Sequence, residues 1–238
     1  MSSGDDRARA DTEKRAAAER AAELVEQRML VGLGTGSTVA HLLPALARRG
    51  LRIRCVATSP ETADAARRLG LDVVPFSGRD RVDLAIDGAD EVDPGCWLVK
   101  GGGGAHTREK VVAAASDRFV VIVSSDKLVD RLAPPVPVEL LDFGADATLA
   151  AIGDASLRGG ARSPDGGLLA DYRGDVADPA ALATRLDSIP GVVSHGLFPP
   201  ALVGEVLVGA LDPAGEATGT GAHVAVRRVV PVARAGGG

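Results

Sequence analysis

Five short apolar runs within the first 127 residues each stop at a polar cluster, and this pattern constrains the chain more than any other feature. MLVGL runs into GTGST, RIRCVA into TSPET, VDLAI into DGAD, WLV into KGGGG and RFVVIV into SSDK. The runs are rich in β-branched residues, and several are followed by helix-like segments: VAHLLPALARR, ADAARRLG and EKVVAAASD. Continuous apolar strands alternating with helices predict an α/β fold, a mainly parallel sheet covered by helices on both faces. Ligands bind such open sheets outside the carboxyl ends of the strands. The five polar clusters are therefore expected to meet along one edge.

The flanking segments complete the outline. An Ala-, Glu- and Arg-rich stretch from Ala10 to Arg28, with Ala17, Ala21, Leu24 and Val25 at helical spacing, reads as an amphipathic first helix. After Pro134 the texture changes. PPVPVELL, the helix-like ATLAAIG, a turn at SPDGG, the strand-like LLADYR, the helix-like ALATRLDSI and the strand-like GVVSHGLF predict a smaller α+β unit over 134–205. LVGEVLVGAL and HVAVRRVV read as strands returning to the main sheet, so the larger domain takes residues 1–133 and 206–238. The terminal AGGG is expected to be disordered.

Composition narrows the partners. A 3% aromatic share, a formal net charge of −5 and a pI near 5.4 leave little for base stacking or phosphate-backbone binding, so no nucleic acid is expected. Cys55 and Cys96 sit in apolar runs without metal-ligand spacing, as buried reduced thiols of a cytosolic protein do. The N-terminus MSSGDDRARADTEKR has no apolar run to act as a signal peptide, and no segment is apolar for long enough to span a bilayer. A cytoplasmic protein without metal or membrane is expected.

The clusters carry the chemistry. VGLGTGST lacks the third glycine of a dinucleotide fingerprint, because Ser37 stands there, and the next strand ends in Thr58 and Ser59 instead of an acidic residue. It also lacks the Gly-Lys-Ser/Thr of a P-loop. It remains a Gly/Ser/Thr turn into a helix, suited to a monophosphate, or simply a tight capped turn. In IDGADEVD, Asp87 and Asp90 stand three apart around Gly88, a pair able to bind sugar hydroxyls or move protons, or an Asx-rich turn. Four glycines separate Lys100 from a segment in which Thr107 is a candidate helix cap and Glu109 lies in the first helical turn. Four glycines cost more conformational entropy than a simple connection requires, which favours a loop whose amides face a ligand. Lys127 in SSDK can reach the same edge as a cation for an oxyanion or phosphate, although taken alone it reads as a surface lysine. His41, His106, His195 and His223 form no triad with a nucleophile and read as structural.

Taken together, GLGTGST, ATSPET, AIDGADEVD, LVKGGGGAHTREK and SSDKLVD, in this order and spacing, resemble ribose-5-phosphate isomerase of the A type. PVPVEL and SIPGVVSHGLF extend the resemblance through nearly the whole chain. It implies a Rossmann-like α/β domain with a second, smaller α+β domain, a cofactor-free, metal-independent aldose–ketose isomerisation of a sugar phosphate, and a homodimer, with a tetramer as the alternative. Carried over, it makes Glu109 the proton acceptor, with Asp87 and Lys100 beside it. Thr35, Gly36, Ser37 and Thr38 bind substrate at its phosphate end. Asp87, Gly88, Ala89 and Asp90 form a second binding segment, and Lys100, Gly101, Gly102 and Gly103 a third. Lys127 adds a fourth contact, and Lys14 on the first helix adds charge at the phosphate. The chain departs from the family pattern at His106, where an apolar residue is usual, and in RLAPPVPVEL, which is shortened and lacks a Gly-Lys pair.

Overall fold

The computed structural model describes residues 3–77, 81–211 and 224–231. In chain order the larger part comprises α1 (Ser3–Ala22), β1 (Leu30–Leu33), α2 (Ser37–Arg48), β2 (Arg54–Ala57), α3 (Pro60–Arg68), β3 (Asp72–Val73), β4 (Leu84–Asp87), β5 (Glu91–Val92), β6 (Leu98–Val99), α4 (His106–Ala114) and β7 (Phe119–Ser124). A 3₁₀ turn, Ser125–Lys127, closes β7. There follow β8 (Val136–Leu140), α5 (Ala145–Ile152), β9 (Ala155–Arg162), β10 (Leu168–Tyr172), α6 (Pro179–Asp187), β11 (Val192–His195), β12 (Leu197–Phe198), β13 (Glu205–Leu211) and β14 (Val224–Val229).

The central sheet has seven strands in the order β14-β13-β7-β4-β1-β2-β3, parallel throughout except where β14 pairs antiparallel with β13. Its inner strands are continuous apolar runs because neighbouring residues serve opposite layers. Leu84, Ile86, Val120 and Ile122 pack with Ala17, Ala21, Leu42 and Leu46 of α1 and α2. Ala85, Phe119, Val121 and Val123 pack on the other face with Val112 of α4 and Phe198 of β12. β8 to β11 form a separate antiparallel sheet, order β11-β8-β10-β9, whose core includes Val138, Leu140, Ala170, Leu182 and Leu186. The two cysteines are free and buried, and burial, with Asp72 nearby, pushes the Cys55 thiol up to about 12.

Four details differ from the sequence reading. WLV does not join the central sheet: β6 lies between β5 and β12 in a three-stranded antiparallel sheet. Only two of its residues are extended, too few for local pattern to indicate which sheet takes them. GVVSHGLF is two strands, broken at Gly196, where a Cβ would overlap the carbonyl of Lys100. The first helix runs from Ser3 to Ala22 and stops short of Arg28, which takes a positive φ of 72° in the turn into β1. β9 was not foreseen, because ASLRGGAR is polar, glycine-containing and mostly exposed, as an edge strand can be. His223 and the terminal AGGG lie outside the described residues.

Candidate active site

Three adjacent central strands, β1, β4 and β7, end in the loops 34–36, 88–90 and 125–127, and the fourth contribution comes from β6 and its glycine loop. Together they enclose a polar cleft of about 160 Å³ lined by Lys14, Thr35–Thr38, Gly88–Asp90, Lys100–Gly103, Glu109 and Lys127. A larger groove of about 590 Å³ runs past Val73–Phe76 on the flank of α4 carrying Arg108 and Val111. Of the two, the smaller cleft is the one lined by the buried charged side chains of Lys100 and Glu109.

At one end stands the start of α2. Gly36 precedes it with φ 132°, which an L side chain rarely adopts, and the cleft there is lined by the Thr35–Thr38 segment. A helix N-terminus presents unpaired N–H groups and a partial positive charge to an anion. The turn is braced from below: Thr35 Oγ1 lies 2.9 Å from Thr58 Oγ1, and Thr62 Oγ1 donates to the Gly34 carbonyl at 3.0 Å. Lys14 from α1 and Lys127 from the turn after β7 add two cations to the wall.

At the floor one lysine sits between two carboxylates. Lys100 Nζ is 3.0 Å from Asp87 Oδ2 and 3.1 Å from Glu109 Oε2, it donates to the Gly88 carbonyl, and it lies 5.5 Å from the centre of the Phe198 ring. All three charged side chains are buried, at 3% to 5% exposure. The carboxylates are not equivalent. Asp87 Oδ1 accepts from the amides of Gly88, at 2.7 Å, and Thr35, at 3.2 Å. Glu109 Oε2 faces Lys100 without hydrogen-bond alignment and, among the described residues, has no other partner. Burial, reinforced by the Asp87 charge and opposed by Lys100, pushes the Glu109 carboxyl up to about 8. Burial also raises Asp87, against Lys100 and the two amides. Burial disfavours the ammonium of Lys100, but Asp87 and Glu109 outweigh it and hold the lysine charged. Two carboxyl groups whose surroundings differ in this way suit different proton-transfer roles, and Glu109 is the one placed to gain and lose a proton near neutrality.

The glycine loop has its own supports. Gly101, at φ 106°, is pressed against His106 and Pro137, where a Cβ would stand 2.7 Å and 2.9 Å from their side chains, and Gly104, at φ 79°, abuts Leu169. Gly102 and Gly103 are exposed on the cleft. Asp90 is committed to this loop: its Oδ2 accepts from the Gly102 amide at 2.8 Å. Thr107 is not the helix cap expected from the sequence. Ala105 occupies that position, and the Thr107 hydroxyl donates to Glu139 of β8. Sequence reasoning also missed Arg158 on β9, which pairs with Asp171 at 2.6 Å and 3.0 Å and donates to the carbonyls of Gly101 and Gly102. No local signal marks it, because its partners lie 13 to 57 residues away. Of the histidines, His41 pairs with Asp11 on the surface, while His106 and His195 are buried behind the loop.

This arrangement of segments has a counterpart among known proteins. The model of the family ribose 5-phosphate isomerase A (phosphoriboisomerase A) matches residues 54–212. The chain belongs to the ribose 5-phosphate isomerase A family. A relative named ribose-5-phosphate isomerase A from Caulobacter vibrioides is 46% identical over 216 residues, covering 84% of this chain and 95% of that one. The crystal structure of ribose 5 phosphate isomerase A from Neisseria gonorrhoeae superposes with a TM-score of 0.80 at 33% identity, over 93% of this chain and 97% of the other. A D-ribose-5-phosphate isomerase solved in complex with phospho-erythronic acid gives a TM-score of 0.80 at 31% identity, over 92% and 99% of the two chains. The central sheet flanked by helices, with its smaller sheets, is the fold of these isomerases.

Proposed function

We propose that the chain interconverts D-ribose 5-phosphate and D-ribulose 5-phosphate through an enediolate, the isomerisation step of the non-oxidative pentose phosphate pathway. The observation that carries this reading is the buried Glu109 carboxyl, pushed up to about 8, beside the buried Lys100 ammonium at the floor of a cleft whose far end suits an anion. A family relative binding phospho-erythronic acid, a phosphorylated four-carbon acid, supports the same substrate class.

In the proposed sequence Glu109 takes the proton from C2 of the open-chain aldose. The electron pair left on C2 forms the C1–C2 double bond, and the carbonyl pair moves onto O1. Collapse of the enediolate from O2 re-forms a carbonyl at C2, and Glu109 returns the proton to C1. Positioned acid–base catalysis of this kind is worth about 10²–10⁴ in rate. Lys100 and the amides of Gly101–Gly103 stabilise the oxygen on which charge develops, a contribution of roughly 2.7–4 kcal/mol for one well-placed donor. Asp87 shuttles the hydroxyl protons, from the anomeric hydroxyl to the ring oxygen on opening and then from O2 to O1 across the enediolate, and it holds Lys100 charged and in place. Gly88, Ala89 and Asp90 line the sugar, while Thr35–Thr38, Lys14 and Lys127 take the phosphate, whose binding energy orients the reacting carbons.

This reading places the enzyme in the cytoplasm as a homodimer, symmetric assembly being the general rule. Among the described residues no helix is long and apolar enough to cross a membrane. Residues 134–205 act in it as a smaller unit, whose β9 and β10 support the glycine loop through Arg158 and Leu169.

The test is isomerase activity on ribose 5-phosphate in EDTA, wild type beside Glu109→Gln. Turnover by the wild type, lost in a folded variant that still binds sugar phosphate, is expected. Binding without wild-type turnover would leave a sugar-phosphate sensor, and full activity in the variant would remove Glu109 from the chemistry.

A further inference from the structure

Glu13 is the most tightly held carboxylate outside the cleft floor. It lies on α1 at 1% exposure, an expensive place for a charge that has no partners. Its partners come from three elements. Oε2 accepts from the Ser125 amide at 2.9 Å and the Ser125 hydroxyl at 2.7 Å. Oε1 accepts from the Leu211 amide at the end of β13, at 3.2 Å, and from Arg9 one turn earlier on α1, at 3.1 Å. Burial alone would raise this carboxyl, but the hydrogen bonds from Ser125, Leu211 and Arg9 together outweigh it and hold the carboxyl below the ordinary carboxylate range. The helix backbone sits directly on the sheet at the same point, since a Cβ on Gly209 would overlap the Glu13 carbonyl.

The neighbours of these contacts are the two cations of the cleft wall. Lys14 follows Glu13 on α1, and Lys127 is two residues beyond Ser125 in the same 3₁₀ turn. Among the described residues neither lysine has a strong anchor of its own: Lys127 has Asp126 at 3.7 Å. Lysine is a flexible point charge, so where it acts depends on where its backbone is fixed. One carboxylate therefore ties the backbone that carries Lys14 to the backbone that carries Lys127.

We propose that Glu13 is a positioning residue for phosphate recognition: by joining α1 to the turn after β7, it sets Lys14 and Lys127 at the spacing that the substrate phosphate requires. The proposal rests on the reading of these lysines as the phosphate end of the cleft. It has a sign that simple electrostatics does not share, because removing a negative charge near a phosphate site should by itself tighten anion binding.

The test compares Glu13→Gln and the milder Ser125→Ala with wild type, measuring kcat and KM for ribose 5-phosphate and the competitive inhibition constant of inorganic phosphate. Both measurements are repeated in a Lys14→Ala/Lys127→Ala background, with thermal unfolding to establish that each variant is folded. Glu13→Gln is expected to raise KM and the phosphate inhibition constant about fivefold or more while kcat changes less than about twofold, with Ser125→Ala in the same direction and smaller. Both effects should vanish when the lysines are absent, which a purely structural role would not produce. If the lysine variant weakens phosphate binding but Glu13→Gln leaves it unchanged or tightens it, or if the effect of Glu13→Gln persists without the lysines, the positioning role is overturned and the phosphate-end reading stands. If removing both lysines leaves phosphate binding unchanged, the phosphate-end reading falls and the role of Glu13 falls with it.

Discussion

The Asp87 carboxyl occupies the space that a side chain on Gly34 would need: a Cβ built there would overlap Asp87 Cβ, Cγ and Oδ1. The first glycine of GTGST thus serves the floor of the cleft more directly than the turn that contains it. Its replacement is a sensitive test, because Asp87 in turn holds Lys100. Gly34→Ala should push Asp87 off the amides of Thr35 and Gly88 and carry Lys100 with it. A misplacement on the order of 1 Å costs about 10²-fold in rate. We expect kcat to fall by about that factor, with a stability loss of about 1–3 kcal/mol from overpacking. Steady-state kinetics and urea unfolding measure the two parts. Near-normal kcat would show that Asp87 can move without consequence.

Arg158 supports the opposite wall of the cleft. Its guanidinium forks onto Asp171 and reaches two carbonyls of the glycine loop, a geometry that a lysine ammonium cannot reproduce. Arg158→Lys should therefore behave as a loss, lowering kcat roughly tenfold, while the phosphate inhibition constant, set at the far end of the cleft, stays near the wild-type value. Asp171→Asn should repeat the pattern more weakly. Equal losses in kcat and in phosphate binding would mean that Arg158 supports the whole cleft and not the loop alone.

These two residues show what the sequence makes legible. Apolar runs such as VDLAI and FVVIV announce central strands because burial on both faces demands unbroken hydrophobicity, and the polar stops after them mark the ends that line the cleft. Local pattern carries no information about partners far along the chain. Apart from Arg9 one turn away, Glu13 finds its donors 112 and 198 residues along the chain, and nothing in DTEKR distinguishes it from a solvated glutamate. Arg158 sits in ASLRGGAR, whose edge-strand exposure removes the hydrophobic signal. β6 is misplaced for a related reason: two extended residues fit either sheet, and the pairings that place it are with the two-residue β5 and with β12, about a hundred residues later. The expected Thr107 cap fails because Glu139 competes for its hydroxyl from another sheet.

His106 breaks the rule that buried polar groups are paired. It is fully buried, and among the described residues neither ring nitrogen finds a hydrogen-bond partner; the Ser194 backbone lies near the ring without reaching hydrogen-bond geometry. Burial, with Lys110 close by, pushes the imidazole down to about 3, so it is neutral at physiological pH. A neutral imidazole still carries one N–H, and an unsatisfied buried donor costs about 1–3 kcal/mol. His106→Met fills similar space with a flexible apolar side chain and should raise the unfolding free energy by about 1 kcal/mol or more. Urea denaturation at pH 7 measures this. A destabilised variant would show that the ring has a partner, such as an ordered water, whose hydrogen bonds outweigh the cost.

The proton affinity of Glu109 governs the last prediction, and it can be read in two independent ways. The proposed mechanism needs the carboxylate, so kcat/KM, which reports groups of the free enzyme, should rise with pH through an apparent pKa near 8. Lys100 favours the charged form of Glu109, and Lys100→Met should therefore move that limb upward by about one unit or more while lowering its plateau. The second reading is stability. A carboxyl whose folded pKa lies above the ordinary value of 4.5 binds its proton more tightly in the folded state, so its contribution is favourable below about 4.5 and is lost as pH rises through about 8. Relative to Glu109→Gln, which does not titrate, the wild type should become progressively less stable between those values. Chemical denaturation of both proteins from pH 5 to pH 9 gives the difference directly. A flat difference, with an acid limb near the ordinary carboxylate range, would mean that Lys100 neutralises Glu109 fully and that the base is poised by its partner and not by its burial.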